Sequence, residues 1–176
     1  MSHLETAVLD LERHSAEKGW DSAPSLYALV RSAELRRAEP GLADQLPADA
    51  DALVPIEQEG LPEESSVEDA LAGIVWPDTV DGCVLVIERV VLPPGVEDDI
   101  PDDAAEAAAF VGNHPAREEV RMVVGVLRDG ARHAAVRMRS HDSEDAVLRG
   151  PDLVPGLPDV LAATFDPDDP GASRPE

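Results

Sequence analysis

Apolar residues first recur at helical spacing: Leu4, Ala7, Val8 and Leu11 fall on one side of a helix that Ser2 caps, that carries Glu5 in its first turn, and that ends near Gly19. A second helix is expected from Pro24, where Leu26, Tyr27, Val30 and Ala33 share a face up to about Arg37. Two such helices on a tight turn pack as an antiparallel pair. From Glu39 to Glu64, prolines at 40, 47, 55 and 62 predict an ordered loop that touches the core through Leu46, Leu53, Val54 and Ile56. Ser65 or Ser66 caps a third helix with Val67, Leu71 and Ile74 on one side, stopped at Trp76-Pro77.

The strongest strand signal is Cys83 to Leu92, rich in Val, Leu and Ile and closed by Pro93-Pro94-Gly95. Asp102 or Asp103 then caps a short Ala-rich helix, Ala104 to Val111, ended by Gly112 and Asn113. Val120 to Leu127 and Ala131 to Arg139 flank a hairpin turn at Arg128-Asp129-Gly130. With Gly130 in the left-handed region, Val120, Met122, Val124 and Val126 lie opposite Met138, Val136, Ala134 and Arg132, a nearly continuous apolar face; a two-residue loop would scatter Arg137 and Arg139 among the valines. Ala146 to Leu148 adds a short edge strand, and Leu157, Val160, Leu161 and Phe165 form the stripe of a last helix that Pro158 opens. The expected architecture is one α+β domain over residues 1–165, an antiparallel sheet of three or four strands with helices packed mainly on one face. Residues 166–176 read as a disordered acidic, Pro-rich tail.

Charge narrows the classes of partner. The formal net charge is −23, and between Arg37 and Arg117 only Arg89 is basic against at least eighteen acids, whereas seven arginines stand among six acids from Arg117 to Arg149. Nucleic acid and anionic membrane are not expected partners, because phosphate binding needs cations this surface lacks. The acidic, amphipathic start and the absence of a long apolar run predict neither export nor a membrane span, so a cytoplasmic location is expected. Cys83 is the only cysteine, which rules out an intramolecular disulfide and fits a buried, inert thiol.

Candidate chemistry is sparse. Glu88 and Arg89 interrupt the best strand, one on each of its faces, and a charge in that position must find a partner or reach water. One reading makes them a polar spot in a ligand groove; the other pairs Glu88 with Arg121, Arg137 or Arg139 on a neighbouring strand. Arg132, Arg137 and Arg139 have the forked donors to hold an anion, or they balance the acidic half of the chain. His133, His141, Asp142, Glu144 and Asp145 lack metal-ligand spacing and read as turn residues. Trp20 and Trp76 each follow a helix and suit covering its end. Phosphate loops, dinucleotide fingerprints, paired-cysteine motifs and nucleophile elbows do not occur, so no cofactor is expected and the case for an enzyme is weakened without being closed.

Four stretches carry a resemblance: Ile74-Val75-Trp76-Pro77, Gly82 to Pro94, Val123 to Gly130, and Gly150 to Leu157. They resemble an uncharacterised family of cytoplasmic proteins from actinobacteria, over about Leu4 to Phe165. That family has no established activity, cofactor or catalytic residue to carry over. Helices followed by an antiparallel meander are also similar to small secretion-chaperone-like folds, an analogy of architecture only. Because Cys83 to Leu92 is apolar on both faces, a sheet covered on one side leaves the second face needing a partner. The leading expectation is therefore a non-catalytic protein-binding or chaperone-like module that dimerises through its sheet. The alternative is a small-anion binder or enzyme with a pocket built from Glu88, Arg89, Arg121, His133, Arg137 and Arg139.

Overall fold

The hydrophobic stripe at the start of the chain forms α1, His3–Lys18, with the Ser2 hydroxyl accepting from the Glu5 amide and Gly19, at φ 89°, closing the other end. The computed structural model describes residues 2–21, 23–58, 71, 74, 76–91, 99–114, 117–151, 153, 154 and 156–165. The predicted helix capped by Ser65 or Ser66 and the predicted tail 166–176 lie outside these residues, save that Leu71 is helical and buried.

The sheet is larger than expected. Six antiparallel strands, β1 (Ser25–Arg31), β2 (Leu53–Gln58), β3 (Gly82–Val91), β4 (Glu118–Leu127), β5 (Arg132–Met138) and β6 (Leu148–Gly150), lie in the order β2-β1-β3-β4-β5-β6. Two strands appear where the sequence predicts other structure. Leu26 to Val30 is an unbroken apolar run that fits either a buried helix turn or a strand, and pairing on both sides decides it, since all five side chains are buried between β2 and β3. Only Ser32–Ala38 of the predicted second helix is helical (α2). β2 carries Pro55, which an edge strand tolerates because one side of its backbone has no ladder to join. The hairpin register matches the expected one, with Val120 opposite Met138, Met122 opposite Val136, Val124 opposite Ala134 and Val126 opposite Arg132, and Gly130 at φ 100°.

The chain also covers both faces of this sheet, where one face was expected to stay open. Strict alternation sends Tyr27, Leu29, Val84, Val86, Val123 and Ala135 toward Leu4, Val8 and Leu11 of α1. It sends Leu26, Cys83, Leu85, Val124 and Ala134 toward Leu71, Val154 and α4 (Leu157–Ala163), which buries Leu157 and Leu161. Cys83, Val84 and Leu85 are wholly buried, and the Cys83 thiol is pushed up to about 12 by burial. The premise for dimerisation through an open sheet face is therefore gone. The remaining helix, Ala104–Asn113 (α3), is capped by Asp103, whose carboxylate accepts from the Glu106 amide, and contributes to none of the buried clusters. No helix among the described residues is long and apolar enough to cross a membrane.

α1 sits this close to the sheet because β4 has no side chain beneath it at Gly125. A Cβ there would stand 2.8 Å from Val8 Cγ2 and 3.0 Å from Leu4 Cδ1, closer than carbon atoms pack. Gly125→Ala is expected to lower stability by about 1–3 kcal/mol through overpacking, read from urea unfolding, whereas Gly41→Ala, which meets nothing, leaves the midpoint near wild type.

Candidate functional site

The alternation that buries Val123 and Ala135 under α1 also places Glu88 of β3, Arg121 of β4, and His133 and Arg137 of β5 on that face. Arg139 follows on the short turn Arg139–His141. Arg89 points the other way, and its register partner is Val120. Five of the six predicted site residues are thus gathered on one face, and α1 lies over them.

What they meet is an acid that sequence reasoning overlooked. Glu12, 2% exposed, accepts a forked pair of hydrogen bonds from Arg137, Nε to Oε2 at 2.7 Å and Nη2 to Oε1 at 2.9 Å, with Arg121 Nη1 3.8 Å from Oε2. The remaining donors go to the turn after α1 and to the loop after β5. Arg137 Nη1 donates to Asp142, and Asp142 also accepts from the Trp20 indole at 3.0 Å. Arg121 Nη2 donates to the Gly19 carbonyl at 2.7 Å, and its guanidinium lies 4.4 Å from the centre of the Trp20 ring. Arg139 forks onto Asp21 and reaches Glu119, while the Asp21 amide donates to Glu88 Oε1. Asp21 is held at φ 67°, a conformation aspartate tolerates better than most residues. Trp20 follows α1 and lies under the Arg121 guanidinium, with its indole donating to Asp142.

The electrostatics follow from these bonds. The hydrogen bonds to Glu12 hold the Arg137 guanidinium above its usual value, and burial pulls Arg121 down against the opposing attraction of Glu88 and Glu12. The Trp20 and Arg137 hydrogen bonds hold the Asp142 carboxyl below the usual range. Burial also lowers His133, whose Nε2 has no hydrogen-bond partner. Arg132, outside this network, pairs with Asp159 at 3.1 Å. Arg137 and Arg139 are thus bound by acids of the fold, whereas Arg121 Nη1, buried and 3.8 Å from Glu12, makes no hydrogen bond among the described residues.

Two cavities border the network or its far end. One, of about 210 Å³, is walled by Lys18, Tyr27, Glu88 and Arg121. The other, about 640 Å³, lies by the start of α1 among His3, Arg31, Asp81, Leu127 and Arg128; Arg31 bonds Asp81 at 2.9 Å, and Arg128 donates to the Val80 and Pro77 carbonyls. No group of three His, Cys, Asp or Glu side chains among the described residues is placed to hold a metal.

A third feature is apolar. α3 has one charged side chain, Glu106, yet Ala104, Ala105, Ala108 and Ala109 are exposed, and it shares no packed interface with any strand or other helix among the described residues. Pro101, Glu106, Ala109, Phe110, Asn113 and His114 line a groove of about 510 Å³ along it. Positions 106, 109, 110 and 113 share one side of the helix, with Ala109 and Phe110 as its apolar members between Glu106 and Asn113.

Fold and site together define an α+β protein whose sheet is covered on both faces, with a buried ionic staple and an apolar helix that lies outside the packed clusters of the described residues. The chain belongs to the family of PPA1309-like protein, whose match spans residues 4–166 and whose function is not established. No curated protein and no solved structure matches it.

Removing one partner from a buried ion pair leaves a charge without compensation. Glu12→Gln is expected to cost about 3–5 kcal/mol in urea unfolding, and the triple change Glu12→Leu, Arg121→Met, Arg137→Met is expected to cost far less than the single changes added together. The depressed His133 fixes the sign of a pH effect: the folded state prefers neutral imidazole, so its contribution is complete above about 6.5 and is lost as pH falls from there through the lower folded value. Melting wild type against His133→Leu from pH 7.5 to 5 should show wild type losing stability relative to the variant as pH falls.

Proposed function

We propose that this protein is a non-catalytic protein-binding module whose docking element is α3. The observation that carries the reading is an apolar helix left on the surface: a helix hydrophobic on most of its circumference normally lies inside a protein. Among the described residues, the buried clusters on both sheet faces are built without it. Five alanines and the Asp103 cap favour the helix over this segment.

The arginine-rich hairpin supports this division of labour. Its cations are held by Glu12, Asp142, Asp21 and Glu119, so the segment that looks most like an anion site in the sequence acts as a structural staple. Around α3 the acids Asp99, Asp102 and Asp103 stay on the surface, where they repel acidic surfaces and leave the apolar stripe to a complementary partner.

Ala108→Cys gives a unique surface thiol, since Cys83 is buried. With a photo-crosslinker on that thiol in the full chain, covalent protein adducts are expected under native conditions, and a probe at Gly41→Cys should give none. Equal labelling at both positions, or no adduct at either, contradicts the assignment of α3 as the docking element.

A further inference from the structure

The ionic staple over Glu12 leaves one buried donor over. Arg137 takes both Glu12 oxygens, so Arg121 Nη1, 3.8 Å from Oε2, has no hydrogen bond among the described residues although its side chain is 1% exposed. A buried donor in that state is costly and uncommon, and it calls for an acceptor from outside the chain. The same arginine forms part of the wall of the cavity of about 210 Å³. Independently of α3, we infer that this cavity binds a small monocarboxylate, whose oxygens supply an acceptor to Arg121.

The walls follow from strand register. Tyr27 and Ser25 of β1, Val86 and Glu88 of β3, and Arg121 of β4 share the α1 face, because Tyr27 pairs with Val84, Ser25 with Val86 and Glu88 with Arg121. The last turns of α1 add Ser15, which is buried, and Lys18, which is exposed and so stands at the rim. Arg121 bounds the cavity on the β4 side, and the Tyr27 ring with Val86 gives an apolar wall toward β1 for a short alkyl body. Burial is the largest influence on the Arg121 guanidinium and pulls it down, so an added carboxylate offsets a desolvated charge. Glu88 sets the limit. It shares the wall, and the carbonyl end of α1 is close enough for Gly19 to accept from Arg121, so a second negative charge on the ligand is repelled. An aliphatic acid with one carboxylate therefore fits better than a phosphate dianion. The volume equals the liquid share of about seven waters at about 30 Å³ each, which limits the alkyl body to a few carbons.

Saturation-transfer NMR of the full chain tests the inference with butyrate, its neutral isostere butyramide and inorganic phosphate, all at one ionic strength. Butyrate is expected to bind saturably with a Kd of about 1 mM, within reach of so small a ligand, and the other two at least about tenfold more weakly. Lys18→Gln should weaken butyrate about threefold with the urea midpoint unchanged, because that side chain is exposed. The triple change Glu12→Leu, Arg121→Met, Arg137→Met, checked for its fold by circular dichroism, should abolish binding; Lys18→Gln reads the same site if the triple variant does not fold. No saturable butyrate signal below about 20 mM, or butyramide bound as well as butyrate, overturns the inference. So does phosphate bound equally well, which marks a counter-ion on Lys18, and so does butyrate binding that neither variant alters.

Discussion

The forked bond between Glu12 and Arg137 is the constraint on which the rest of this structure depends. It joins the one helix that covers the α1 face to the strand farthest along the hairpin, residues 125 positions apart. A carboxylate at 2% exposure is unfavourable by itself, and what stabilises it is a full set of partners: two bonds from Arg137 and the nearby Arg121 charge, each arginine also anchored elsewhere. Hydrophobic area would hold α1 on the sheet in several registers. A carboxylate held by two directional bonds from one guanidinium permits one, and that register in turn sets Val8 and Leu4 over Gly125, where no side chain would fit.

From that register the end of α1 is fixed too. Gly19 and Trp20 emerge beside Arg121, and Asp21 emerges beside Arg139 and Glu88, so the turn into β1 is tied to β3, β4 and the loop after β5. Six strands in one sheet then need cover on both sides, and the chain supplies it with α1 on one face and α4 with Leu71 and Val154 on the other. The continuous apolar character of β3 is explained from within the molecule. A central strand between two layers has no solvated face, which is why Cys83 to Ile87 shows no polar alternation.

The sequence was most legible where local pattern and long-range pairing agree. Ser2, Gly19, the register across Gly130 and the stripe Leu157, Leu161 are read from spacing and turn chemistry alone, and the structure repeats them. It was least legible where pairing overrides pattern: Leu26 to Val30 satisfies a helical template and a strand template alike, and Pro55 hides β2 because proline usually argues against a strand. Glu12 is the instructive omission. It stands four residues after Val8 and eight after Leu4, on the buried stripe of α1, and an acid in such a position announces a buried cation. That spacing was available in the sequence, and with it Arg121 and Arg137 would have been assigned to the fold. The acceptors at Gly19, Asp21 and Asp142 had no comparable signal, since their meeting depends on how the turn after α1 lands on the sheet.

Charge distribution and hydrophobic distribution thus separate into two tasks in one chain. Arg121 and Arg137 are consumed inside, where the low dielectric makes each bond count. The acids, many and dispersed, lie mostly at the surface, Glu12 excepted, and oppose indiscriminate association. On such a surface an alanine-rich helix with a single acid of its own offers a place for selective contact. The ordering of α3 ahead of any partner lowers the entropic cost of docking, since its backbone is already helical before contact is made.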